Sequence, residues 1–465
     1  MWMWGLFVIY AGATAALAVI SSRSTDSARS FAIGSGKMSP WVAGLALGAC
    51  LASSATFVIV PGFVYADGLP ALIGFTLPLI GGLGVGLFGL AFRFQASGQA
   101  LGALTIPHWL GERYESRALR RAFSALNVLN LAYLVLVTVG AAYVMQVALG
   151  VSYPVAVVGI VAFVFSYTAI GGATAHAWTN ALQGSVMLVI ALVIAGSGAS
   201  RLPEVATDLQ ATGWVAGDSV IFSTWWEVWL VPFAMGLALS TQPHLLAKAL
   251  YVDSRADVRK ALWVGMLAFA LYCTVLLAGA YARLVLGPGV PQDQVMAQYL
   301  AAAFPWEPIG AVVSVAILAA AMSTLDGLLV AISASVGNDL FEGENSLVAS
   351  RMTLVGLGVA TLALALSPPK LVLLFGQIGV YGLVVASAGP IVAGLFRSGK
   401  LDPRIAGTSA AVALAVHLGL CFWLPNPGVA GAVGLLVGVP VALVRLPVPQ
   451  EKTDGDIAAG NSYAR

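Results

Sequence analysis

Thirteen apolar runs, each about the twenty residues that carry a helix across a bilayer, leave this chain very few ways to fold. They cover residues 2–20, 41–66, 69–92, 122–149, 154–170, 180–199, 225–246, 261–282, 308–335, 352–367, 371–396, 405–423 and 428–445. Lipid supplies no hydrogen bonds, so every backbone group in such a run must be satisfied inside the protein, which selects helices. With 59% hydrophobic and 9% charged residues, the chain lies far from the roughly 25% charge of a soluble globule. The expected fold class is therefore an all-α polytopic membrane protein with thirteen transmembrane helices. Its 52 glycines suit close approach of helix backbones in lipid.

Assigning alternate connections to one side gathers 19 of the 22 Lys and Arg residues there, leaving Arg201, Arg283 and Lys370 on the other. The positive-inside rule then sets the amino end outside and the carboxyl end in the cytoplasm of a multi-pass inner (plasma) membrane protein. The first run lacks a basic segment in front of it and is expected to be a span, not a cleaved signal. Cys50, Cys273 and Cys421 lie in apolar runs at spacings that suit neither a disulfide framework nor a metal site, and read as small buried hydrophobes. Residues 105–121 are amphipathic and basic, expected along the cytoplasmic face or as a solvated connector. Connections 201–225 and 287–298 carry turn residues and are expected to cover an outer vestibule. Residues 447–465 form a polar tail expected to be disordered.

Two runs are poor simple anchors. Residues 41–66 bury Gly48, Ser53, Ser54, Thr56, Pro61 and Gly62 at mid-depth, and residues 225–246 carry Pro232 and Gly236. Each opens a group of five runs, 41–199 and 225–396, and an odd group size makes the second run inverted relative to the first. Paired discontinuous helices in inverted repeats mark a transport site at the midplane, with unwound carbonyls as cation ligands. The competing reading is that small residues and hydroxyls serve close packing. In the ninth run, Ser323 and Thr324 set adjacent hydroxyls in an apolar helix, with Ala320 on nearly the same face. They suit a hard cation needing neutral oxygens, or they bond back to carbonyls one turn up. Asp326 faces another way, as an aid to ion release or as the partner of a hydroxyl. His176 is assigned to a loop, His244 to the inner end of the seventh run and His417 to the peripheral twelfth, none with a neighbour at metal spacing.

The chain resembles the sodium:solute symporters over nearly its whole length. The matching stretches are 53–62 (SSATFVIVPG), 167–187 (YTAIGGATAHAWTNALQGSVM), 242–261 (QPHLLAKALYVDSRADVRKA), 319–339 (AAAMSTLDGLLVAISASVGND) and 394–396. Around Ser53, Pro61 and Tyr167 the spacing looks closest to the pantothenate and monocarboxylate branch. The resemblance implies a leucine-transporter-type 5+5 inverted-repeat core. Residues 1–40 would then hold an extra span and a cytoplasmic loop, 41–199 and 225–396 the two repeats, 200–224 an extracellular loop, 397–446 two further spans, and 447–465 the tail. It also implies a Na+ site on the carbonyls of Ala49, Ala52 and Ala320 and the hydroxyls of Ser323 and Thr324. Asn180 stands where some members carry an acid, and Ala320 where others carry a serine. Both groups of a second cation site are thus missing, and one Na+ per cycle is expected. Leu51 replaces an aspartate of proline carriers, which argues against proline as the solute, and Lys248 stands where an arginine is common.

Thr56 and Gln377 match substrate-contacting positions of sugar and sialic-acid carriers, and Phe57, Asn127, Asn130 and Tyr381 are further candidates, with packing as their alternative role. A sugar would leave too many hydrogen bonds unmade, at about 1–3 kcal/mol each. The expectation is a sodium-coupled symporter, not an enzyme, importing a small organic solute such as a monocarboxylate or pantothenate-like anion. Its partners would be that solute, Na+ and the lipid bilayer, with no nucleic acid and a monomer as the working assembly. The alternatives are a proton-coupled or sensory member of the same fold and, further off, a membrane enzyme or proton-pump subunit. Proton coupling needs a titratable group at the ion site, and an enzyme or pump subunit needs clustered His, Asp, Glu or Lys within the membrane; the sequence shows none at the ion site and almost none in the spans.

Overall fold

The computed structural model describes residues 2–22, 27–34, 37–53, 55–341 and 346–444. Ser54, the whole tail expected at 447–465, and Arg23, Arg445, Lys452 and Arg465 of the charge count lie outside these. Among the described residues the secondary structure is helical, with no strand.

Numbered in chain order, the principal helices are α1 (Trp2–Ser22), α2 (Pro40–Leu51), α3 (Ala55–Asp67), α4 (Leu77–Ala100), α5 (Leu131–Leu149), α6 (Tyr153–Ser197) and α7 (Trp225–Leu239). They continue with α8 (Arg255–Tyr272), α9 (Glu307–Ser335), α10 (Ser346–Ala365), α11 (Val372–Phe396), α12 (Pro403–Cys421) and α13 (Pro427–Leu443). Ten segments among the described residues are long and apolar enough to cross a membrane. The bent pair α2 and α3 adds an eleventh, while α7 and α13 are shorter apolar helices.

The run 41–66 is interrupted. Helix α2 ends at Leu51, Ala52 takes the non-helical angles φ −94° and ψ 76°, and α3 resumes at Ala55 with a π-type turn after a 49° bend. Pro61 and Gly62 sit inside the resumed helix.

Two expectations are corrected. Pro232 lies inside an unbroken α7, since a membrane helix absorbs a proline when neighbours re-satisfy the freed carbonyl. The helix stops instead after Leu239, and Gln242 is extended (φ −56°, ψ 129°) ahead of Pro243, the conformation a following proline enforces. Gly236 serves packing: a Cβ there would lie 2.3 Å from the Leu79 carbonyl, and one at Gly82 2.1 Å from that of Phe233. Helices α4 and α7 therefore touch backbone to backbone. The loop expected between 170 and 180 is helical as well. Helix α6 runs 45 residues, about 67 Å at 1.5 Å per residue, and holds two crossing stretches, Tyr153–Ile170 and His176–Ser197.

Helix α9 is the axis of the bundle, with almost every residue from Ala316 to Ala334 buried. It packs against α6, α5, α1 and α2, which brings the break in α2–α3 against the middle of α9.

Candidate functional site

Where α2 stops, its last carbonyls lack helical partners, and α9 supplies hydroxyls opposite them. Ser323 Oγ lies 2.7 Å from the Ala320 carbonyl and 3.1 Å from the Ala49 carbonyl across the helix interface. Three of the five oxygens expected to hold a cation, the Ser323 hydroxyl and the two carbonyls within its hydrogen-bond distance, thus lie together. Ala52 is fully buried at the break. Thr324 is also fully buried, and its Oγ1 has no hydrogen-bond partner. An orphaned hydroxyl at this depth costs about 1–3 kcal/mol unless something accepts its lone pairs. The residues therefore fit a small hard cation: neutral oxygens only, one of them without a protein partner. Sodium there would be held by Ala49, Ala52, Ala320, Ser323 and Thr324.

Beside this cluster lies a cavity of about 150 Å³. Leu51, Ser53, Thr56 and Val60 of the broken pair line it, with Leu79 and Leu83 of α4, Val231 and Met235 of α7, and Gln377, Val380 and Tyr381 of α11. Ile221 and Phe222 of the connection before α7, with Glu227 and Asn426, also line it. Part of the 201–225 connection thus contributes to the cavity wall. No Lys or Arg is among the lining residues.

Thr56, Gln377 and Tyr381 take their expected place at the cavity. Phe57 does not: it is fully buried and packs on Tyr272 at 6.2 Å between ring centroids. Asn130 is buried and not among the lining residues, accepting from Gln242 Nε2 at 3.4 Å, and Asn127 is buried with both side-chain atoms unpartnered. Three polar residues at the cavity, Tyr133, Gln242 and His244, are not among the expected solute contacts. Tyr133 donates to Ser53 Oγ at 3.1 Å, and Ser53 Oγ in turn accepts from the Ala55 N–H at 3.1 Å. Gln242 Oε1 and His244 Nδ1 are buried without partners. The Gln242-Pro243-His244 string carried a signal, whereas Tyr133, a tyrosine in an apolar helix, carried none.

A third group overturns an expectation. His176 is helical and buried, not in a loop, and its neighbours are acidic, basic and thiol. Its Nδ1 lies 2.8 Å from Asp326 Oδ1, its Nε2 2.9 Å from Lys248 Nζ, and Cys50 Sγ 3.9 Å from Nε2. Asn180 Nδ2 donates to the Ser323 carbonyl at 2.8 Å and to Cys50 Sγ at 3.2 Å, so the group adjoins the cation cluster. Cys50 is therefore more than a small hydrophobe. His417 also has a polar partner, the Ile378 carbonyl at 2.9 Å.

A helical bundle with one broken span, whose carbonyls meet paired hydroxyls beside a mostly apolar cavity, has the form of an ion-coupled membrane carrier. The fold agrees: the chain superposes with a TM-score of 0.77 over 97% of its length on 99% of a structure described as the substrate-bound outward-open state of a Na+-coupled sialic acid symporter, at 19% identity. It also matches Mhp1, a nucleobase-cation-symport-1 family transporter in a closed conformation, with a TM-score of 0.56, 15% identity and coverage of 86% of this chain and 91% of that one. The model of the sodium:solute symporter family matches residues 31–396, and the chain belongs to that family. It is 26% identical to the sodium/proline symporter of Escherichia coli (strain K12), over 93% of this chain and 91% of that protein. It is likewise 26% identical to the sodium/pantothenate symporter of the same organism, over 81% and 82%. Equal identities do not separate the pantothenate branch from the proline one. The protein is a multi-pass membrane transporter rather than an enzyme, and Na+ is its coupling ion.

Proposed function

We propose that this chain imports one small carboxylate-bearing solute with one Na+ per cycle, by alternating access across thirteen spans in a 5+5 inverted-repeat core, amino end outside. The observation that carries the reading is the 3.1 Å approach of Ser323 Oγ to the Ala49 carbonyl across the break, which lets one ion tie the two repeats together. A cavity near 150 Å³ is the size that holds a benzene-sized guest, favouring a short monocarboxylate or small amino acid over pantothenate. With no Lys or Arg lining it, a carboxylate finds its balancing charge in the bound Na+, which makes ion and solute mutually dependent. Tyr133, Thr56, Gln377 and Ser53 supply directed hydrogen bonds, and the apolar wall selects a short hydrocarbon tail. With a monocarboxylate anion the one-to-one load is electroneutral and the sodium concentration gradient alone drives it, whereas with a zwitterionic amino acid one positive charge enters and gains about 2.3 kcal/mol per 100 mV.

The test is competition of uptake in proteoliposomes by short monocarboxylates, proline, pantothenate and sugars, with Na+ against choline at fixed pH. Displacement by short monocarboxylates or proline, only with Na+ present, supports the reading. Uptake unchanged in choline overturns sodium coupling in favour of a proton-driven carrier, and displacement by sugars alone overturns the solute class.

A further inference from the structure

Lys248 and Asp326 are both buried, at 5% and 1% exposure, and they come from different parts of the chain. Lys248 lies on the short helix Ala247–Tyr251 that follows the turn after α7, and Asp326 lies two residues beyond Thr324 on α9. A buried ion needs a partner, because removal from water costs several kcal/mol. Here the two are joined end to end through His176. The order of donors that leaves both ends charged is fixed: the ammonium donates to Nε2, and the single imidazole proton sits on Nδ1 and is donated to the carboxylate. The other carboxylate oxygen accepts from Tyr167 Oη at 3.2 Å and Thr179 Oγ1 at 3.3 Å. An ionised Asp326 would thus have a donor on each carboxylate oxygen, and its counter-charge would reach it through the imidazole. The same assembly touches the cation cluster: Cys50 and Asn180 both contact the Ser323 carbonyl, at 3.6 Å and 2.8 Å.

We propose that the Lys248 ammonium is a tethered cation, occupying beside the sodium cluster the place of a second mobile ion and balancing Asp326 through His176. This rests on the sodium site proposed above, and it gives the single-ion cycle a cause: the chain brings its second positive charge with it. Removing the ammonium exposes an anionic, oxygen- and nitrogen-lined position to solution cations.

The probe is 22Na+ binding at saturation to the purified full-length protein in detergent. Wild type and Lys248→Arg are expected to bind one Na+ per chain, Lys248→Met two, and Lys248→Met/Asp326→Asn one. One ion in Lys248→Met, or two in the double variant, overturns the tethered cation. If Lys248→Met does not fold, recovery of folded protein in the double variant supports the pairing, and failure of both overturns it. No Na+ bound by wild type strikes the sodium site itself, whereas one ion in both wild type and Lys248→Met strikes the tethered charge alone.

Discussion

Thr324→Val separates a sodium ligand from a packing residue by the sign of its effects. The substitution exchanges a hydroxyl for a methyl group of nearly the same shape at a fully buried position where Thr324 Oγ1 has no protein partner. In sodium-free buffer nothing is left newly unpaired, and relief of the orphaned hydroxyl raises stability by about 1–3 kcal/mol. Sodium binding loses one oxygen facing a full charge, worth about 1.5–3 kcal/mol, or roughly 10- to 150-fold in the sodium concentration for half-saturation. Ser323→Ala behaves otherwise, because its hydroxyl bonds the carbonyls of Ala320 and Ala49. Its removal both lowers stability without sodium and weakens sodium binding. Thermal melting of the purified protein over a sodium titration, with choline holding ionic strength, reads both quantities at once. A lower melting temperature of Thr324→Val without sodium, or a half-saturating concentration within threefold of wild type, refutes the assignment.

The remaining expectations are simpler. Tyr133→Phe removes the donor to Ser53 and is expected to raise the solute KM about 5- to 10-fold, from roughly 1 kcal/mol per hydrogen bond; Phe57→Leu, away from the cavity, is expected to leave KM unchanged, and uptake kinetics compare the two. Gly82→Ala sets a Cβ 2.1 Å from the Phe233 carbonyl and should cost about 1–3 kcal/mol by forcing α4 and α7 apart, read as a lower melting temperature. Arg120 Nε meets Asp339 Oδ1 at 2.8 Å with the acid fully buried; Asp339→Ala should cost about 3–5 kcal/mol, and Arg120→Leu/Asp339→Leu much less, which a double-mutant cycle of melting temperatures measures. Asp293 lies on the turn Gln292–Gln294 outside the spans, and burial raises its carboxyl above the usual range. Folding therefore favours its protonated form, giving stability that is present in acid and lost as pH rises through the raised value; Asp293→Asn should flatten that part of the stability profile and stabilise the protein at neutral pH.

What the sequence disclosed follows from how far each signal reaches along the chain. The apolar runs and the break near Ala52 are local, since small and hydroxylated residues at mid-depth contradict an ordinary helix, and the break falls there. Pro232 looked like an equal breaker. It fails because a proline inside a packed membrane helix is tolerated, whereas Gln242 ahead of Pro243 has backbone angles that no helix accepts. The Gly-rich 170–180 stretch read as a loop by the rules of water-exposed turns, but among apolar neighbours the helical hydrogen bonds of α6 prevail, and that places His176 inside the protein. Once His176 is inside, Asp326 and Lys248 need each other. Yet 150 residues separate His176 from Asp326 and 72 separate it from Lys248, so no periodicity announces the group. Neutral ligands were legible as adjacent hydroxyls on one helix, whereas charged partners were not, because a buried charge is matched by tertiary structure and never by its sequence neighbours. That asymmetry bears on mechanism. On the proposed site, neutral oxygens would bind sodium weakly enough to release it, and the Lys248–His176–Asp326 chain proposed beside it would keep the surrounding field constant between empty and loaded protein.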